Sequence, residues 1–136
     1  MFIHRLRVAY RDVTAGNHVY HSRYLDWLEV ARNEAFREMG CPILALQDRG
    51  ILFPVVESAL KHHGMARYDD EVEIRTSVAK VGGASLVLDY RVLRGGNLLL
   101  EASTRHAVTD LHAKPMRMPS ELRQALSRHL TSSSPA

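Results

Sequence analysis

Residues 71–110 hold three strand-like runs separated by two glycine turns, a pattern that leaves the chain few folds to choose from. EVEIRTSVAKV (71–81) and ASLVLDYRVLR (84–94) alternate apolar and polar residues, the period of a half-buried strand. LLLEASTRHAVTD (98–110) reads as a third long strand. Gly82-Gly83 and Gly95-Gly96-Asn97 lie between them, and such short links make hairpins. Strands joined by hairpins run antiparallel. The chain must therefore build an antiparallel sheet and find something to cover its apolar face.

The cover precedes the sheet. Tyr24, Leu25, Leu28, Ala31, Ala35 and Met39 recur at three- and four-residue spacings, and Trp27 and Phe36 widen the stripe. Asp26, Glu29, Arg32, Asn33, Arg37 and Glu38 supply the polar positions of an amphipathic helix. Ser22 is its predicted N-cap and Gly40 its stop. Glu29 and Arg32, three apart, are expected to pair.

Upstream, residues 2–10 alternate as a strand, with Phe2, His4, Leu6, Val8 and Tyr10 on one side. Downstream, Pro42 opens a short helix over residues 43–47, and Asp48-Arg49-Gly50 is a turn. Residues 51–63 read as a strand in which Pro54 demands an edge position or a bulge. Residues 120–130 form a terminal helix with Ser120 as N-cap and Glu121 in the first turn. The predicted class is α+β: one helix against an antiparallel sheet whose four later strands follow one another by hairpins. One domain is expected over residues 1–130, with 131–136 a disordered polar tail.

Composition narrows the function. The net charge of +3 and the pI near 9.3 come from interspersed charges, without the basic stripe and aromatics of a nucleic-acid binder. A mild basic excess suits a small anionic ligand. One cysteine, Cys41, excludes an intrachain disulfide. The N-terminus lacks the apolar core of a signal peptide, and no apolar run approaches the ~18 residues of a membrane helix. A soluble, cytoplasmic protein is expected. The histidines lack metal-ligand spacing, and no glycine-rich nucleotide loop precedes a helix.

The richest chemistry lies just before the long helix. Tyr10, Asp12, Thr14, Asn17, His18, Tyr20 and His21 fall within twelve positions. A helix N-terminus presents unpaired N–H groups and partial positive charge, which suits a developing oxyanion. An imidazole beside it can act as a general base.

These motifs resemble those of the hotdog-fold acyl-CoA thioesterases of the 4-hydroxybenzoyl-CoA thioesterase type, and within them the Tol–Pal-associated subgroup. The likeness is carried by Tyr10, Asp12-Val13-Thr14, Ala15-Gly16, Val19-Tyr20-His21, Tyr24-Leu25 and Glu29-Val30-Ala31-Arg32. Phe53-Pro54-Val55-Val56-Glu57, residues 66–72, Asp110 and Lys114-Pro115 extend it. It implies a sheet wrapped around one long helix, no cofactor, an acyl-CoA or acyl-carrier thioester as substrate, and a homodimer or homotetramer. One position departs. Thr14 stands where the resemblance places the catalytic aspartate of a D-T-D triplet.

By that resemblance the catalytic candidates are His21, Thr14, Tyr10 and Asp12, with Asp12 the surviving carboxylate of the triplet. The substrate-binding candidates are Asn17, His18, Arg32, Glu57, Lys61 and Arg67. Arg32 is similar to an arginine kept by hotdog thioesterases of enediyne pathways, which also lack the acidic residue. Lys61, His62, His63 and Arg67 form a basic group suited to the phosphates of CoA. The alternative is a non-catalytic acyl-CoA or acyl-carrier-binding protein. A hydratase of the same fold would need a D-x-N-P-x-H pattern, and the chain lacks its aspartate and proline.

Overall fold

The computed structural model describes residues 1–131. Five antiparallel strands form one sheet: β1 (Phe2–Arg7), β2 (Val55–His62), β3 (Glu71–Val81), β4 (Ser85–Arg94) and β5 (Asn97–Ala107). Helices α1 (His21–Glu38), α2 (Ile43–Asp48) and α3 (Ser120–Ser127) complete the fold, which is α+β as expected.

The strand order is β1-β3-β4-β5-β2. β3, β4 and β5 pair through the two glycine turns as the sequence dictates. β2 does not form a hairpin with β3. It pairs with β5, so residues 63–70 carry the chain from one side of the sheet to the other. Pairing partners of this kind are set by long-range packing, which local alternation does not encode. Pro54 precedes β2, and β2 is an edge strand with a register shift between Val55 and Glu57, satisfying both demands of that proline.

The core lies between α1 and the inner sheet face. Val72, Ile74 and Val78 of β3 and Leu86, Leu88, Tyr90 and Val92 of β4 meet Tyr24, Trp27, Leu28, Ala31, Ala35 and Phe36 of α1. Each large side chain buried there contributes roughly 1.5–3 kcal/mol, which outweighs the weak intrinsic preference of any single helix or strand position. Register shifts in β3 (Val78/Lys80) and β4 (Val92/Leu93) bend the sheet around the helix. The β4 shift also breaks the alternation, so neighbours Val92 and Leu93 are both buried. Leu25 departs from the predicted stripe and is exposed.

Both helix starts differ from the sequence reading by a residue or two. Tyr20 occupies the N-cap of α1 and Ser22 lies in its first turn; Pro119 occupies the N-cap of α3. Gly40, at φ +82, takes the left-handed conformation that ends α1. α3 stops at Ser127, and the following residues run along β3, where the Thr131 N–H donates to the Val78 carbonyl at 3.1 Å. The rest of the predicted tail, 132–136, lies outside the described residues.

Candidate active site at the N-terminus of helix α1

The chain between β1 and α1 folds into two nested turns. Tyr10–Asp12 is a single 3-10 turn, and buried Asp12 accepts from the Ala9 N–H at 3.3 Å, closing it. Thr14 to His18 is a tighter loop. The Thr14 N–H donates to the His18 carbonyl and the Asn17 N–H to the Thr14 carbonyl, both at 2.9 Å. Asn17 takes φ +53, a conformation asparagine tolerates better than most residues. Its Oδ1 accepts from the Tyr68 N–H at 3.1 Å, and its carbonyl accepts from Arg67 Nη1 at 3.4 Å. Asn17 thus ties the loop to residues 66–70.

That second segment is held just as firmly. The Val19 N–H donates to the Ala66 carbonyl at 2.9 Å, and the Ala66 N–H donates to the buried Tyr24 hydroxyl at 3.1 Å. Arg94 donates to the Met65 carbonyl at 2.9 Å and to the Asp70 carboxylate at 2.8 Å. Burial pushes the Asp70 carboxyl up, but hydrogen bonds from Arg94 and the Arg67 N–H, with the two guanidinium charges, hold it below its ordinary value. Burial raises the Tyr24 hydroxyl above the ordinary tyrosine range, so it stays neutral.

Between these segments opens a pocket of about 540 Å³, lined by Thr14, His18, Tyr20, His21, Tyr24, His62 and Met65 among others. His21 is the first residue of α1. The Arg23 N–H donates to the Tyr20 carbonyl at 2.9 Å, but the His21 and Ser22 N–H groups meet no acceptor among the described residues, and no side chain caps the turn. The floor is aromatic: the Tyr24 ring packs against His62 at 5.3 Å and against Trp27 at 5.0 Å.

The structure therefore brings together Thr14, His18 and His21, with Asn17 and Arg67 bonded to each other behind the loop. It sets the others apart. Tyr10 is 77% exposed and packs edge-on against Tyr68, while Asp12 is consumed by the 3-10 turn. Glu57 pairs with Arg105 at 3.2 Å on the outer sheet face, and exposed Lys61 shares that face opposite Glu101. His63 also bonds Glu101, at 2.8 Å, leaving His62 as the member of the basic group that reaches the pocket. The sequence motifs do not mark Tyr24 as a site residue, and they mark His62 only as part of the basic group expected to meet the CoA phosphates. Their signal was parity: His62 shares the inward face of β2 with Leu60, and Tyr24 lies one turn from Leu28.

Arg32 does not pair with Glu29. It lies eleven residues beyond His21, about 16 Å along a helix rising ~1.5 Å per residue, and turns inward. Its Nη1 donates to the Tyr90 hydroxyl at 3.2 Å. Tyr90 lies 2.7 Å from Thr104 Oγ1, Thr104 lies 2.8 Å from His106 Nε2, and His106 Nδ1 lies 3.0 Å from the Phe53 carbonyl. A carbonyl only accepts, so Nδ1 carries the hydrogen. Burial pushes the His106 pKa down to about 4, leaving Nε2 bare near neutral pH. Thr104 then donates to His106 and Tyr90 to Thr104. The four bonds run in one direction, from the Arg32 charge to a backbone carbonyl.

A five-stranded antiparallel sheet curled on one central helix, with a pocket at that helix's uncapped N-terminus, defines the hotdog class of thioester-handling proteins. Residues 8–126 match the family model described as the thioesterase-like superfamily, and the chain belongs to that family. It is 34% identical over 122 residues to the acyl-CoA thioesterase YbgC of Haemophilus influenzae, covering 88% of this chain and 90% of that protein. A hypothetical protein of Thermus thermophilus superposes with a TM-score of 0.91 at 35% identity, covering 95% of this chain and 99% of the other. A gentisyl-coenzyme A thioesterase superposes with a TM-score of 0.84 at 25% identity, covering 91% and 98%. No helix among the described residues is long and apolar enough to cross a membrane.

Proposed function

We propose that this protein is an acyl-CoA thioesterase, hydrolysing a thioester to a free acid and CoA in the pocket at the start of α1. The observation that carries this reading is the uncapped first turn of α1, opening beside Thr14, His18 and His21. A thioester carbonyl placed there develops negative charge in its transition state. Unpaired N–H groups and the positive end of the helix stabilise that charge more than they stabilise the neutral ground state. Tyr24, Val19 and Met65 offer the apolar surface an acyl chain needs, and the names of the relatives support the same chemistry. The substrate itself brings the CoA, and this reading invokes no cofactor.

The protein works as a homo-oligomer in this reading, with a second copy along β2. β2 is an edge strand, so one side of its backbone has no partner strand in the sheet. All its residues but Leu60 are exposed, on both faces, Val55 and Val56 included. An edge with unpaired backbone groups and exposed Val55, Val56 and Ala59 offers a surface that a second copy can cover. Its last residue, His62, lines the pocket, so a partner on β2 would approach the pocket mouth.

The test is release of free CoA from a panel of aliphatic and aromatic acyl-CoAs, followed with a thiol-trapping dye. Turnover of at least one class is expected. Tight binding of acyl-CoA with no release over hours would overturn hydrolysis. It would favour the binding-protein reading, which the threonine at position 14 motivates.

A further inference from the structure

Thr14 Oγ1 lies 3.3 Å from His18 Nε2, and the loop is built to hold the two side chains together. Val13 and Val19 bridge as antiparallel partners, and the two backbone bonds between Thr14, Asn17 and His18 close the turn inside them. Gly16 makes room for the ring. A Cβ there would sit 3.0 Å from both Cε1 and Nδ1 of His18, tighter than ordinary contact. Both side chains are half-buried and line the pocket beside the start of α1.

We propose that Thr14 and His18 are a nucleophile–base dyad, and that hydrolysis passes through an acyl ester on Thr14. The proposal rests on the thioesterase reading above. A threonine hydroxyl is a weak nucleophile unless a base removes its proton, and the diagnostic geometry is a hydroxyl within hydrogen-bond reach of an imidazole. Such contacts are often slightly long without substrate. Where a carboxylate is missing, this pair supplies what position 14 lacks alone.

The steps balance within the residues present. Thr14 Oγ attacks the thioester carbonyl carbon as its proton passes to His18 Nε2. The carbonyl oxygen takes the negative charge, facing the first-turn N–H groups of α1. The C–S bond breaks, and the CoA sulfur leaves with the proton from His18. Water then gives a proton to His18 and attacks the ester carbon. The C–Oγ bond breaks, Thr14 recovers its proton from His18, and the free acid departs.

The test combines steady-state kinetics with trapping of the intermediate. Wild-type protein is mixed with acyl-CoA, quenched in acid within milliseconds and mapped by peptide mass spectrometry. Separately, methanolysis and hydrolysis are compared for an acyl-CoA and for the matching acyl-N-acetylcysteamine. The dyad predicts one acyl ester on the peptide holding residue 14 and the same methanol-to-water product ratio from both thioesters. Thr14→Ala and His18→Gln should each lose about 100-fold or more in kcat, the range general-base removal gives, with KM changed much less. Thr14→Ser should keep the ester and most of the rate. Gly16→Ala, which pushes on the His18 ring from an exposed position, should lower kcat about tenfold while leaving the protein folded.

Wild-type turnover with Thr14→Ala within threefold of its kcat would overturn the dyad and leave the hydrolytic reading standing. Product ratios that differ between the two thioesters, with no ester on residue 14, would do the same. A wild-type protein that turns over no thioester would overturn the hydrolytic reading, and the dyad with it.

Discussion

The guanidinium of Arg32 and the hydroxyl of Tyr90 meet 3.2 Å apart, fifty-eight residues distant in sequence, and this one bond links the central helix to the middle of the sheet. Tyr90 is 2% exposed, so the pair sits where an unpaired charge would be costly. Beyond Tyr90 the polar chain continues through Thr104 to His106, which is fully buried.

Tyr90→Phe removes the hydroxyl and keeps the ring. Thr104 still donates to His106, but Arg32 loses its acceptor in a half-buried site. The expected loss is about 1–3 kcal/mol of unfolding free energy, the cost of leaving a charged donor unsatisfied. Urea denaturation checks it. A loss below about 0.5 kcal/mol would mean that Arg32 finds water or another acceptor freely.

The same network makes stability depend on pH in a defined window. His106 is neutral when folded, with its pKa near 4, against 6.5 in the unfolded chain. Between those values the unfolded state binds the extra proton, so stability falls as pH falls from about 6.5 towards 4 and is constant above that window. The full loss is on the order of 3 kcal/mol. Asp70 and Glu101, whose folded pKa values are lowered, add a loss that begins only as pH falls into the ordinary carboxylate range and continues down through their lowered values. Comparing denaturation midpoints of wild type and His106→Asn at pH 7.5 and 5 isolates the histidine. The wild type should lose stability between the two pH values and the variant much less.

Much of this architecture is legible in the chain itself. Alternation around two glycine turns marks β3, β4 and β5 because each strand has one wet and one dry face, and three- and four-residue spacing marks α1 for the same reason. The polar loop before α1 declares itself by composition. The place of β2 is not legible, because pairing with β5 rather than β3 depends on contacts between strands far apart in sequence. Nor is the Arg32–Tyr90–Thr104–His106 chain. Glu29, three residues away, offers Arg32 a local partner, and the fold supplies a better one from the sheet. The strand parity of Thr104 and His106, shared with Leu100 and Ala102, was the available signal. The Thr14–His18 contact depends on a turn closed by backbone bonds and on the missing side chain of Gly16, neither of which residue spacing alone reveals.

Oligomerisation along β2 is tested at its exposed edge. Val56→Lys places a charge on the strand without touching the core, since Val56 is 49% exposed. Lysine on an edge strand opposes strand pairing. Sedimentation velocity should show wild type as a dimer or larger and the variant weakened in association by at least about tenfold, roughly 1.4 kcal/mol. A wild type that sediments as a monomer at tens of micromolar would remove the partner from β2.

In the proposed reaction a thioester sits with its carbonyl at the start of α1. A crystal structure with a non-hydrolysable acyl-CoA analogue, in which a methylene replaces the thioester sulfur, measures this directly. That placement puts the carbonyl oxygen within about 3 Å of a first-turn N–H at His21 or Ser22. It also places the carbonyl carbon within about 3.5 Å of Thr14 Oγ1, a near-attack distance. An analogue bound instead on the outer sheet face, beside Asp89 and Arg91, would contradict it.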